Sequence, residues 1–152
     1  MKIYITSTFD KVDQVRAWQD VLVVAGHIIT YDWTQHGDVS RLGIIRRIAR
    51  NEIDIGVADA DAVIALLPGS QRTFAQIGAA LALDKPVILC ADSEAVFNTP
   101  DPDSVMMYHH TSIVARLHHP AIDSILSVLD ELNKQARVAI FHRSDRGDHA
   151  ED

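Results

Sequence analysis

The chain has 152 residues, of which 47% are hydrophobic and 23% charged, and it carries a formal net charge of −7. This length can bury one core without disulfides, and no apolar stretch approaches the ~20 residues that a membrane-spanning helix needs. An acidic pI near 5.5 argues against a surface that neutralises nucleic-acid phosphates. We therefore expect one soluble domain that binds neither nucleic acid nor membranes.

The first residues enter a strand pattern directly, without the apolar segment and cleavage site of a secretory signal. We therefore expect a cytoplasmic protein. Residues 142–152 are almost wholly polar and are predicted to be a disordered tail after a domain of residues 1–141. The single cysteine, Cys90, lies in an apolar run and is expected to be a buried thiol.

Strand and helix patterns alternate through the first third of the chain. Residues 3–5 open as a strand, and a helix that Asp10 can cap and Gly26 ends follows them. Residues 27–33 then predict a second strand. A second helix places Leu42, Ile45, Ile48, Ala49 and Ile53 on one apolar face.

The alternation continues to the end of the domain. Residues 62–67 form the most apolar run, which predicts a strand covered on both faces, and residues 73–83 predict a helix packed tightly on the sheet through Gly78. Residues 87–91 predict a fourth strand. A weaker strand falls at either 105–108 or 112–114, and a closing helix carries Ile122, Ile125, Leu126, Leu129 and Leu132.

This order predicts an α/β fold, a Rossmann-like or flavodoxin-like three-layer sandwich with a parallel sheet of about five strands. Ligands of such sheets bind at the carboxyl ends of the strands. Three segments meet there, namely residues 6–8, 68–73 and 91–98, and the first two lead into helix N-termini that favour an anion. The candidate contacts in these segments are Thr6, Ser7, Thr8, Gly69, Ser70, Arg72, Thr73 and Asn98.

Other nucleotide-binding motifs are absent from the sequence. It contains neither a glycine-rich dinucleotide fingerprint nor a Walker loop. Residues 6–8 weakly resemble a flavodoxin phosphate loop, so a flavin-binding protein stays open as an alternative. The histidine pairs at 109–110 and 118–119 lack ligand spacing, and no metal site is predicted.

A family resemblance rests on residues 60–88, which read ADAVIALLPGSQRTFAQIGAALALDKPVI. This segment resembles the core signature of the nucleoside 2-deoxyribosyltransferase superfamily, which includes 2'-deoxynucleoside 5'-phosphate N-hydrolases. Residues 2–5 resemble its first strand. The resemblance covers residues 2–91, and the chain after Asp92 matches poorly.

The resemblance implies roles for several residues. Tyr4 falls on the family's active-site tyrosine, and Ser70 on a serine that contacts phosphate in the nucleotide hydrolases. The family's helix-borne aspartate lies eight residues before Asp61, where this chain has Ile53. Either Asp54, placed with Tyr4 among the catalytic candidates, or Glu52 takes that role. Trp33 and His36, after the second strand, are further candidates to flank the base by stacking.

Gln76 is the main departure from the family, because a nucleophilic glutamate normally occupies its position. An amide supplies neither the negative charge nor the nucleophile of a glycosidase carboxylate. Three explanations fit: a deliberate Glu-to-Gln replacement, a natural relative without turnover, or another acid that substitutes.

The resemblance therefore implies an N-glycosidase or deoxyribosyltransferase that cleaves the N-glycosidic bond of a (deoxy)nucleoside 5'-monophosphate. It implies no metal and no organic cofactor, and it implies a homo-oligomer, commonly a dimer. The alternative is a non-catalytic module that binds or senses a nucleoside or nucleotide.

Overall fold

A computed structural model of the chain describes residues 1–36, 41–98 and 100–144. Five parallel strands form one sheet in the order β2-β1-β3-β4-β5. The strands are β1 (Lys2–Thr6), β2 (Ile28–Ile29), β3 (Ala62–Leu67), β4 (Val87–Ala91) and β5 (Ile113–His118). This is the flavodoxin-like strand order, so the predicted fold class is confirmed.

Helices connect the strands. The α-helices are α1 (Val12–Val24), α2 (Leu42–Asn51), α3 (Gln71–Ala82), α4 (Pro102–Val105) and α5 (Ile122–Ser144). Short 3-10 helices lie at Phe9–Lys11, Trp33–Gln35, Glu94–Val96 and Met106–His109. The helix α2 continues directly into a π-helix, Glu52–Val57.

The core follows from the apolar runs. All six residues of β3 are buried, as a central strand covered on both faces requires. The helices α1 and α5 pack against each other, and the π-helix packs against α3. In the sheet, Tyr4 of β1 pairs with Val63 of β3, and Thr6 pairs with Ala65.

Two predicted strands differ from the observed ones. The second strand ends at Ile29, because Asp32 caps a 3-10 helix that turns Trp33 inward. The fifth strand falls at Ile113–His118, overlapping the second of the two predicted places. The first place is helical because Asp101 and Pro102 start α4 there.

Several local predictions need correction. Asp10 lies within the first 3-10 helix, and Thr8 occupies its N-cap position. The helix α2 has no buried residue, so the described part of the chain leaves its apolar face uncovered. A Cβ added at Gly78 would meet no atom of the described residues within 4 Å, so packing among them does not explain that glycine.

The closing helix is longer than predicted. It includes residues 142–144, which the sequence had placed in a disordered tail. Residues 145–152 lie outside the described part of the chain.

Candidate active site

The candidate site lies at the carboxyl edge of the sheet, between β1 and β3. Strand order reverses at this point, which is where open parallel sheets bind ligands. Thr6 ends β1 here, and Ser70 follows β3 and caps α3.

A buried amide occupies the centre of this edge. Gln76 of α3 is only 1% exposed, yet its surroundings are polar. The Thr6 hydroxyl donates to Gln76 Oε1, and Gln76 Nε2 donates to Glu52 Oε2 at 2.7 Å. A donor on one side and a carboxylate on the other fix the orientation of the amide.

Arg72 joins this amide network to the backbone. Its Nη1 forms an ion pair with Glu52 Oε1, and its Nη2 donates to the carbonyl of Ser7 at 2.6 Å. The guanidinium also lies 4.7 Å from the ring centroid of Phe9 and 4.5 Å from that of Trp33. Two aromatic faces and two acceptors therefore hold Arg72 in one orientation.

Trp33 is fully buried and packs against the Arg72 guanidinium. Its indole Nε1 donates to the carbonyl of Ile5 at 2.7 Å, which ties the 3-10 helix to β1. Phe9 packs edge-on against the indole and is 63% exposed. Trp33 thus contacts Arg72 and the core, while Phe9 presents an aromatic surface to the outside.

The π-helix begins at Glu52, nine residues before Asp61, which is one residue more than the spacing that the resemblance implies for the helix acid. A π-turn accommodates one residue more than an α-turn, and such turns are frequent at functional sites. Glu52 is 3% exposed and lies in the network.

The catalytic candidate Asp54 lies elsewhere. Its side chain is exposed and pairs with Arg50, one turn earlier on the helix, at 2.9 Å. Of the two acids, the structure therefore brings Glu52 into the network and leaves Asp54 outside it.

Burial dominates the electrostatics of Glu52 and Tyr4. Desolvation raises the pKa of the Glu52 carboxyl above its usual value, although the Arg72 guanidinium opposes this. Burial and the nearby Glu52 carboxylate raise the pKa of the Tyr4 hydroxyl far above its ordinary value. The Tyr4 hydroxyl has no hydrogen-bond partner among the described residues, so a neutral donor faces the network.

Gly56 lets the Tyr4 ring approach the π-helix. A Cβ at Gly56 would lie 2.7 Å from Tyr4 Cε2, closer than real Cβ atoms come. The glycine in the π-helix and the tyrosine in β1 therefore pack as one unit beside Glu52.

Most hydroxyls predicted to bind phosphate have structural partners. Thr6 and Ser7 are fully buried, and their hydroxyls bond Gln76 and the carbonyl of Leu66. Ser70 and Thr73 form a capping box at the start of α3.

The other residues predicted to bind phosphate are Gly69, Thr8 and Asn98, and each lies in a different environment. A Cβ at Gly69 would lie 2.8 Å from Thr73, which explains that glycine by close packing. Thr8 is half-buried at the N-cap of the first 3-10 helix. Asn98 is exposed and is not among the described residues that line the cavity.

A cavity of about 340 Å³ opens beside Glu52 and Arg72. A second space of about 270 Å³ reaches Gln76 from the side of the π-helix. The first cavity is lined by Phe9, His36, Ile45, Ile48, Ala49, Glu52 and Arg72. The exposed side of α2 is therefore one wall of the cavity.

Sequence reasoning did not assign Phe9 to the site. The sequence feature that could have indicated Phe9 is its place directly after the hydroxyl residues 6–8 at the end of the first strand. His36, whose ring nitrogen Nε2 lies 2.7 Å from the Tyr31 hydroxyl, also lines the cavity.

Two further properties of the described residues bear on the chemistry. No three histidine, cysteine, aspartate or glutamate side chains lie close enough together to hold a metal ion in the described ranges. Across the same part of the chain, no helix has the length and apolar character needed to cross a membrane.

Comparison with known proteins gives matches at the level of structure. No protein-family model matches the chain, and no curated protein sequence matches it significantly. A 2-deoxyribosyltransferase of Bacillus psychrosaccharolyticus superposes with a TM-score of 0.52 at 20% identity, over 69% of this chain and 82% of that one.

The CMP N-glycosidase BcmB of Clostridium botulinum superposes with a TM-score of 0.50 at 14% identity. That match covers 86% of this chain and 98% of the glycosidase. The chain therefore has the nucleoside 2-deoxyribosyltransferase-like fold that these two solved structures share.

Proposed function

We propose that the chain binds a (deoxy)nucleoside 5'-monophosphate in the cavity beside Arg72 and cleaves its N-glycosidic bond. One observation carries this proposal: a buried carboxylate, Glu52, is held by Arg72 and Gln76 at the wall of a cavity at the sheet's switch point. The shared fold of a deoxyribosyltransferase and a CMP N-glycosidase supports it.

The chemistry of the bond requires such a carboxylate. Breaking an N-glycosidic bond builds positive charge on the sugar ring, and a fixed anion in a water-poor site stabilises that charge. Glu52 is the carboxylate that lines the cavity among the described residues. The hydroxyl of Tyr4, which has no hydrogen-bond partner in the described part of the chain, supplies a neutral donor near Glu52.

The shape of the cavity suits a nucleoside. Its volume of about 340 Å³ falls within the ~300–1,000 Å³ of small-molecule sites. Phe9 presents an exposed ring to the cavity, and Ile45 and Ile48 add apolar surface to its lining. A planar base in this cavity would gain stacking and apolar burial.

The phosphate would lie towards the start of α3. Ser70 caps this helix, and its free amide groups and dipole favour an anion. Arg72, on the first turn, is the arginine at the cavity wall in the described ranges. These groups support a 5'-monophosphate over an uncharged nucleoside.

The direct test is release of free base. The unchanged chain is incubated with each common ribo- and deoxyribonucleoside 5'-monophosphate and with the corresponding nucleoside, and the products are separated by chromatography. We expect base from at least one monophosphate and less from its nucleoside. A chain that neither binds nor cleaves any of them contradicts the proposal.

A second candidate is a nucleotide-binding module without turnover. Gln76 favours it, because a neutral amide bonded on both sides lies where the sequence resemblance implies a nucleophilic glutamate. Calorimetry on the same ligands separates the two. Tight binding with no base released over a day favours the module, whereas release at any ligand concentration favours the enzyme.

The expected homo-oligomer belongs to the same proposal. The cavity wall formed by α2 leaves Leu42 and Ile45 exposed, at 61% and 43%. A second copy that covered this face would close the cavity. Sedimentation of the chain against its Leu42→Lys variant tests this, since the charge should shift a dimer towards monomer.

A further inference from the structure

We propose that Glu52 is the catalytic carboxylate of this chain and that Gln76 is a positioning residue for it. The assignment rests on the proposed function. Under this assignment a glutamine at position 76 is compatible with turnover, because Glu52 of the π-helix supplies the negative charge.

Location singles out Glu52. It lines both the large cavity and the smaller space that reaches Gln76. The neighbouring acids are used elsewhere: Asp32 accepts bonds from Thr34 and two glutamines, and Asp54 pairs with Arg50 at the surface. Neither of these lines the cavity.

The bonds around Glu52 leave it reactive. Arg72 donates to Oε1 and Gln76 donates to Oε2, one bond to each oxygen. A carboxylate has about four lone-pair sites, so each oxygen keeps one for the cavity. Two fixed donors also hold the plane of the carboxylate before the ligand arrives, which lowers the cost of reorganisation.

Gln76 donates a hydrogen bond to Glu52, which an ionised glutamate at position 76 could not do. Its amide donates to Glu52, whereas a carboxylate 2.7 Å away would repel it unless the pair shared a proton. The amide bond also lowers the pKa of Glu52, against the effect of burial. Gln76 therefore acts on the reaction through Glu52.

The reaction balances with water as the only co-reactant. A lone pair of Glu52 forms a bond to the anomeric carbon while the bond from that carbon to the base nitrogen breaks. The bonding pair leaves with the base nitrogen, which takes a proton from solvent. A water then attacks the same carbon, the ester bond returns its pair to Glu52, and the water's proton passes to solvent.

The test traps the ester. A 2'-deoxy-2'-fluoroarabinosyl nucleotide with the preferred base slows hydrolysis of the intermediate, and intact-protein mass spectrometry detects the added sugar phosphate. Proteolysis followed by tandem mass spectrometry locates it. We expect the label on Glu52, and a label on any other residue overturns the assignment.

Base release by variants at Glu52 is an independent test of the assignment. Glu52→Gln should lower base release by about a thousandfold, as loss of a residue in the reacting unit does. Glu52→Asp keeps the charge and guards against misfolding, and should retain part of the rate. Asp59→Asn, an exposed acid just after the same π-helix, is the matched control and should release base like the unchanged chain.

The role of Gln76 has its own readout. Gln76→Met keeps the length and removes the donor, so the acid limb of kcat/KM should move to higher pH while the rate at high pH falls less. A uniform loss at every pH would indicate a structural role only and would overturn the positioning assignment.

The outcomes separate this inference from the proposed function. Base release that survives in Glu52→Gln, with circular dichroism showing a folded chain, overturns the inference and leaves the function intact. Binding without release by the unchanged chain overturns the enzymatic function and the inference with it.

Discussion

Gln76 donates its amide hydrogen to Glu52 across 2.7 Å, although the two residues lie on different helices and are 24 positions apart. This bond joins the amide at the position where the sequence resemblance implies a glutamate to one of the two acids between which the sequence did not choose. The neutral amide of Gln76 satisfies the buried carboxylate of Glu52 with a hydrogen bond. A second ionised carboxylate in its place would repel Glu52 instead.

The first prediction concerns the pH dependence of stability. Burial raises the native pKa of Glu52, so the native state binds its proton more tightly than the unfolded chain. The free energy of unfolding should therefore fall as pH rises from the ordinary glutamate value through the raised native value. Urea unfolding between pH 4 and 8 should show this decline in the unchanged chain and not in Glu52→Gln. Parallel curves for the two proteins would contradict it.

The second prediction concerns Gln76→Glu. Two carboxylates would then lie at hydrogen-bond distance in a buried site and would share a proton. The native pair would hold that proton to higher pH than the unfolded chain, so the variant should lose about 1.4 kcal/mol of stability per pH unit between the two values.

The matched control for this variant is Gln71→Glu, the same change at an exposed residue in the first turn of α3. Thermal unfolding at pH 5 and pH 8 should show a widening deficit for the buried change and none for the exposed one. A deficit that is equal at both pH values would show that the two carboxylates do not interact.

The third prediction concerns the contact between the π-helix and β1. Gly56→Ala would place a Cβ 2.7 Å from the Tyr4 ring, and the shift that relieves this should cost about 1–3 kcal/mol. Gly43→Ala, in α2, would place a Cβ with no described atom within 4 Å and should instead stabilise by about 0.5–1 kcal/mol. Melting temperatures moving in opposite directions confirm this, and equal shifts refute it.

The fourth prediction separates helix capping from phosphate binding at Ser70. Ser70→Gly keeps the cap conformation at a cost of a few tenths of a kcal/mol but removes the hydroxyl. Affinity for a nucleoside 5'-monophosphate should fall about tenfold, the effect of one lost hydrogen bond to a charged group.

Calorimetry measures this effect, with the corresponding nucleoside and the Ser70→Thr variant as controls. Neither control should change much, because one lacks the phosphate and the other keeps the hydroxyl. Equal losses for nucleotide and nucleoside would assign Ser70 to the cap alone.

Local patterns were sufficient for the framework of the fold. The run at 62–67 is apolar at every position, so it had to be a central strand, and β3 is fully buried. Gly26 placed the end of α1, and Pro86 placed the start of β4, within a few residues. Where side chains compete with the pattern, as Asp32 does after β2, the prediction was wrong.

The sequence by itself determined the α/β class, the parallel sheet and the position of Gln76 on the helix after β3. These depend on apolar periodicity and turn residues, which act over a few positions. Only the tertiary structure separated the surroundings of Glu52 and Asp54: Glu52 is buried beside Gln76 and Arg72, whereas Asp54 is exposed and pairs with Arg50. It also placed Arg72 between Phe9 and Trp33, since contacts between residues up to 63 positions apart arise from packing and leave no local signal.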